Sequence, residues 1–119
     1  MAGDSMPSES VLDLKATLVR LGGDRELFSQ LVEYALEDVP RLFDDIRKAA
    51  AAKDAVAVRM SAHALKGLVA GCGGVRAANA AQALETAGQS FDLAHTGRLV
   101  DSLRTELKLF ERALAAHQR

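Results

Sequence analysis

Residues 61–74 read SAHALKGLVAGCGG, and where this stretch stops being a helix decides how the rest of the chain is arranged. Ala, Leu and Lys favour helix, so residues 61–70 continue one, whereas Gly71, Gly73 and Gly74 end it and open a tight turn. Upstream, Asp54 is placed to cap the N-terminus of this third helix. Downstream, an alanine-rich fourth helix runs from about 75 to 88, with Ala77, Ala81 and Leu84 on one side and small residues that permit close approach to a neighbour. Residues 88–92 read as a turn, and Leu93, Val100, Leu103, Leu107, Phe110 and Leu114 give the last helix its apolar stripe.

The same reading extends towards the N-terminus. Asp24 caps a second helix whose stripe is Phe28, Val32, Ala35, Val39, Leu42 and Ile46, ending near Ala52. Pro40 interrupts that pattern without changing its phase, which predicts a kink rather than two abutting helices. Val11, Leu14, Leu18 and Leu21 make a short first helix stopped by Gly22 and Gly23, and residues 1–10, with Pro7 and three serines, read as a disordered lead. Helices of this length on short connections pack as antiparallel neighbours, so the expected fold is all-α: an antiparallel four-helix bundle with a short additional N-terminal helix, one domain over 11–117.

Composition agrees and narrows the function. A chain of 119 residues builds one core, and aromatics at 4% with no Trp leave little to make strands from. Fifteen basic against sixteen acidic residues give a net charge of -1, with no positive field for a nucleic-acid backbone or an anionic membrane. Cys72 has no partner for an internal disulfide, no apolar run approaches the roughly 20 residues that span a bilayer, and the polar start MAGDSMPSES lacks the order of a secretory signal. The expectation is a soluble cytoplasmic protein. The native-looking start and the charged end at His117, Gln118 and Arg119 further suggest a stand-alone chain.

A helix turns by roughly 100° per residue, so directions on the third helix can be stated relative to His63. Val58, Ser61, Leu65, Leu68 and Cys72 fall roughly 140° to 220° away and form the expected core stripe. Arg59, Lys66, Gly67 and Ala70 lie within roughly 60° of His63, which puts the histidine on the solvent side among two cations and two of the smallest residues. A solvated face that merely contains a histidine satisfies this geometry, and so does a reactive site. Gly67 favours the second, because glycine inside a helix costs roughly 1 kcal/mol against alanine and here clears one flank of the imidazole. An exposed imidazole near neutral pH carries a nucleophilic lone pair on one nitrogen. If that nitrogen took a phosphoryl group, Lys66 and Arg59 are placed to offset the charge.

The stretch AHALKGLVAGCGG, followed by AANAAQALE, resembles the histidine-containing phosphotransfer domain, whose motif is histidine, any residue, leucine, lysine, glycine and then a small-residue turn. The segment RLGGDRELFSQLVEYALEDVPRLFDDIRKAAAAKD resembles the first two helices of that family, so the likeness covers nearly the whole chain. The resemblance implies a phosphorelay intermediate: His63 accepts a phosphoryl group from the aspartate of one receiver domain and passes it to another. Lys66 matches the electrostatic partner of the phosphoryl group, Gly67 the glycine that keeps the site open, and Glu85 the fourth-helix residue that bonds the far histidine nitrogen, with Gln82 beside it. Val69, Cys72 and Gly74 depart from the usual pattern at the end of the third helix.

The implied partners are receiver domains and hybrid sensor kinases, met by a monomer through Arg59, Met60, Ala64, Gly67, Ala70 and Gln82. No cofactor is implied. His63, His95 and His117 are too scattered to hold a metal, and no P-loop follows a strand, so the phosphoryl donor and its Mg²⁺ are the partner's. The chain is then a carrier rather than an autonomous enzyme. Two rivals share the sequence: a helical adaptor that uses the same face without phosphorylation, and a small hydrolase with His63 as base. The second lacks a nucleophile, because Ser61 and Cys72 point away from the histidine.

Overall fold

Three of the five helices start on the same device, an aspartate whose side chain satisfies one of the free N–H groups of the first turn. Asp13 accepts from Ala16 N, Asp24 from Leu27 N and Asp54 from Ala57 N, at 3.1, 2.9 and 3.1 Å. In the computed structural model, which describes residues 11–117, the elements are α1 (Leu14–Arg20), α2 (Arg25–Ala51), α3 (Ala55–Gly71), α4 (Val75–Gln89) and α5 (Thr96–Ala116). The lead at 1–10 lies outside the described residues, as do Gln118 and Arg119.

Helices α2 to α5 form the bundle, with α2 against α3, α3 against α4, α4 against α5, and α5 closing back onto α2. Pro40 sits inside α2, and one helix runs through it. The core is a single apolar cluster in which Val32, Ile46, Val58, Leu65, Val69, Leu84, Leu103, Phe110 and Leu114 are fully buried. Burying such side chains is the main favourable contribution to folding, at roughly 1.5–3 kcal/mol each.

Packing modifies the expected stripes in three places. On α3 the buried residues are Val58, Ala62, Leu65 and Val69, followed by Cys72 just past the end of the helix, while Ser61 and Leu68 are only half-buried. The core therefore meets α3 on the side nearer α4. Leu42 on α2 is likewise half-buried. Leu93 precedes α5 instead of belonging to it, because the helix starts at Thr96.

The unusual residues at the end of α3 each have a packing reason. Val69 and Cys72 fill the core, and the Cys72 thiol, raised in pKa by burial, lies 3.6 Å from Leu31 O. A Cβ at Gly74 would come within 2.6 Å of the Phe110 ring, so glycine is what admits Phe110 there. Gly73 takes φ +87°, a left-handed turn, and its carbonyl accepts from Asp13 N at 2.8 Å. That bond docks α1 on the α3–α4 turn. Arg20 adds a second tie from α1, donating to Ala70 O at 3.3 Å, where α3 has no basic residue in its own last turn.

Candidate functional site

The exposed face of α3 is set by what the other side must bury. With Ala62, Leu65 and Val69 committed to the core, His63 is forced outward, and its side chain is 67% exposed. Helix α4 runs antiparallel beside it. Gly88 makes that approach close: a Cβ there would lie 2.6 Å from Ala55 O and 2.7 Å from Arg59 N, so the two backbones nearly touch. One turn earlier on α4, the contact delivers Glu85 to His63.

The resulting network is continuous. Glu85 Oε2 lies 3.0 Å from His63 Nδ1, and Glu85 Oε1 lies 2.8 Å from Lys66 Nζ. Lys66 also donates to Gln82 Oε1 at 2.9 Å, and Gln82 Nε2 donates to Thr86 Oγ1 at 2.9 Å. His63 is open, whereas Glu85 is only 16% exposed and Lys66 28% exposed, so the charged pair forms the floor and the imidazole stands above it.

These contacts fix protonation states. The Lys66 ammonium beside Glu85, reinforced by the hydrogen bond with His63, holds the carboxyl below the usual carboxylate range despite its partial burial. An ionised carboxylate only accepts, so Nδ1 of a neutral His63 carries the proton. Nε2 is left with the lone pair. Lys66 donates one N–H to Gln82 and stands 2.8 Å from Glu85 Oε1 as its ion-pair partner, which leaves N–H capacity for a ligand.

A depressed carboxylate also predicts how stability responds to acid. Between the usual value of 4.5 and the lower folded value, the unfolded chain binds more protons at this position than the folded chain, so stability rises with pH there. The contribution is complete above 4.5 and disappears as pH falls through the folded value. Melting temperatures measured from about pH 3 to pH 6 should therefore fall more steeply on acidification for the wild type than for Glu85→Gln, which has no such proton to take up. Parallel curves would show that Glu85 is not ionised and paired as described.

The structure gathers His63, Lys66, Gln82 and Glu85 into one cluster. Gly67 faces open space, with no atom within 4 Å of an added Cβ. Arg59, Met60, Ala64 and Ala70 are exposed on the same helix, and the Ala70 carbonyl also accepts from Arg20. Gln82, expected beside Glu85 and on the partner-binding face, is in addition a direct acceptor for Lys66 through its side-chain carbonyl. Thr86 and the exposed Val56 were not foreseen. Val56 falls roughly 20° from His63 in the helical projection, a signal present in the sequence. Among the described residues no group of three His, Cys, Asp or Glu could hold a metal ion, and no helix is long and apolar enough to cross a membrane.

The family model of the Hpt domain matches residues 30–115, from the first turns of α2 almost to the end of α5. The chain belongs to the Hpt domain family. Its fold is similar to that of histidine-containing phosphotransfer protein B (HptB) from Pseudomonas aeruginosa PAO1, with a TM-score of 0.83 and 23% identity over 96% of each chain. No curated protein matches the sequence. This Hpt domain is a phosphorelay intermediate, of the class of phosphocarriers that work with receiver domains and kinases in two-component relays.

Proposed function

We propose that His63 is the phosphoacceptor of this Hpt domain and that residues 11–117 form the complete phosphotransfer unit. The observation that carries the proposal is the bond between Glu85 Oε2 and Nδ1, which leaves Nε2 as the nucleophile on the exposed side of the ring. In the transfer, the Nε2 lone pair attacks the phosphorus of a receiver's aspartyl phosphate. The new N–P bond forms as the acyl P–O bond breaks, and the aspartate leaves as a carboxylate.

Because Nδ1 keeps its proton, the product is a phosphorylated imidazolium. Glu85 stabilises that positive charge, and the Lys66 ammonium offsets the negative phosphoryl oxygens. Delivery to a second receiver is the same step reversed. The chain's own residues orient and stabilise; the metal that organises the phosphoryl group comes with the partner. It is a carrier, regenerated after each cycle, rather than an autonomous enzyme. The same reading places it in the cytoplasm as a monomer whose His63 face stays free, with receiver domains or a hybrid sensor kinase as its partners.

Incubating the protein with a phosphorylated receiver should move label onto it in an acid-labile, alkali-stable form. His63→Gln should take none. Label on His63→Gln equal to the wild type would overturn the assignment, and a His63→Gln variant that still binds and signals normally would favour an adaptor.

A further inference from the structure

Beyond the phosphoryl site, we infer that the bundle end formed by the α2–α3 and α4–α5 turns is an apolar anchor for the receiver domain, with Phe91 as its main contact. The inference rests on the reading of His63 as the point of docking. Phe91 is 74% exposed, outside the core, and adopts φ +56°. That left-handed conformation is forced by the cap of α4, in which Phe91 N donates to Gly88 O and Asp92 N to Ala87 O. A left-handed residue with a Cβ crowds its own carbonyl, so glycine is the residue that suits the position.

The chain uses that solution elsewhere. Gly22, Gly23 and Gly73 hold the left-handed positions at the opposite end of the bundle. At this end Lys53 and Phe91, φ +55° and +56°, are the non-glycine residues with positive φ among those described. Neither folding nor solubility is served by an exposed phenylalanine in a disfavoured conformation. Something that binds the side chain would account for it.

Position indicates what that is. Gly88 holds the end of α4 against Ala55 and Arg59, so the turn carrying Phe91 lies at the same end as the first turns of α3. From there Val56 (48% exposed) and Met60 (59% exposed) continue along the His63 side of α3, about 10 Å and about 4.5 Å from His63 along the axis. A partner burying a standard interface of about 800 Å² covers a disc of about 16 Å radius. A receiver centred on His63 therefore covers Met60 and Val56 and reaches this end of the bundle. The surface suits an apolar receiver face beside its phosphorylated aspartate, with Lys53 as a cation at the rim.

The test uses the opposite signs that the inference requires. A panel of receiver domains from the source genome, each loaded with acetyl phosphate, is screened for transfer to the wild-type protein. With a receiver that labels it, transfer rates are measured against receiver concentration. Phe91→Gly should melt at a higher temperature than wild type yet raise the KM for the receiver at least tenfold, with kcat nearly unchanged. Met60→Ser should raise KM in the same sense, and Lys108→Ser, at an exposed position on α5, the bundle helix that packs on α4 and α2 across from α3, should leave it within twofold. A Phe91→Gly KM within twofold of wild type overturns the anchor while leaving His63 as phosphoacceptor. If no receiver in the panel labels the wild type, the phosphoacceptor reading fails and the anchor with it.

Discussion

Gly88→Ala should destabilise the protein by about 1–2 kcal/mol net and loosen the phosphotransfer site at the same time. Two effects oppose each other. Replacing a helical glycine by alanine favours the helix by about 1 kcal/mol. Against this, the added Cβ would sit 2.6 Å from Ala55 O and 2.7 Å from Arg59 N, both backbone atoms that cannot swing aside. Either α4 moves away from α3 or both helices distort, and overpacking of this kind typically costs 1–3 kcal/mol and occasionally more, enough to exceed the propensity gain. Glu85 lies on the turn of α4 just before Gly88, so the displacement also lengthens its bond to His63 Nδ1. Urea unfolding should show the loss of stability, and imidazole ¹⁵N shifts should show His63 leaving the single Nδ1–H tautomer. Unchanged stability would mean that the helices are not in backbone contact.

The opposite result is expected one turn beyond the histidine. Gly67→Leu should stabilise the fold by about 0.5–1 kcal/mol while slowing transfer from a receiver about a hundredfold or more. The gain follows because leucine is a far better helix former than glycine and nothing within 4 Å obstructs its Cβ. The loss follows because the new side chain stands on the face the receiver must cover, one turn from His63, where a misplacement of about 1 Å can cost a hundredfold in rate. Thermal melts and transfer kinetics on the same preparation separate the two. A variant that is more stable and transfers normally would show that Gly67 is not part of the docking face.

The contrast between these glycines shows how much of the molecule is legible in the sequence. Asp24 and Asp54 announce their helices because capping is local chemistry, decided within a few residues. Periodicity places His63 outside and gives the core side of each helix to within about a turn. It misplaces details wherever a neighbouring helix leans: Ala62 and Val69 are buried on α3 in preference to Ser61 and Leu68. Leu93 keeps the phase of α5 but lies before its start. Asp13 also caps a helix, yet the apolar spacing alone extends α1 back to Val11.

By itself the sequence determined an all-helical bundle, an exposed His63 with Lys66 and Gly67 on its flanks, and, through resemblance, Glu85 as its partner across the helix pair. The first two depend on spacing along one chain segment, where a period of 3.6 residues is sufficient information, whereas the pairing with Glu85 came from the resemblance alone. Only the tertiary structure decided that Gly88 brings two backbones into contact, that Gly74 makes room for Phe110, and that Glu85 divides its two oxygens between His63 and Lys66. The physical reason is that each of these depends on the distance between helices far apart in sequence, and a glycine looks the same whether it faces solvent, as Gly67 does, or another backbone, as Gly88 does.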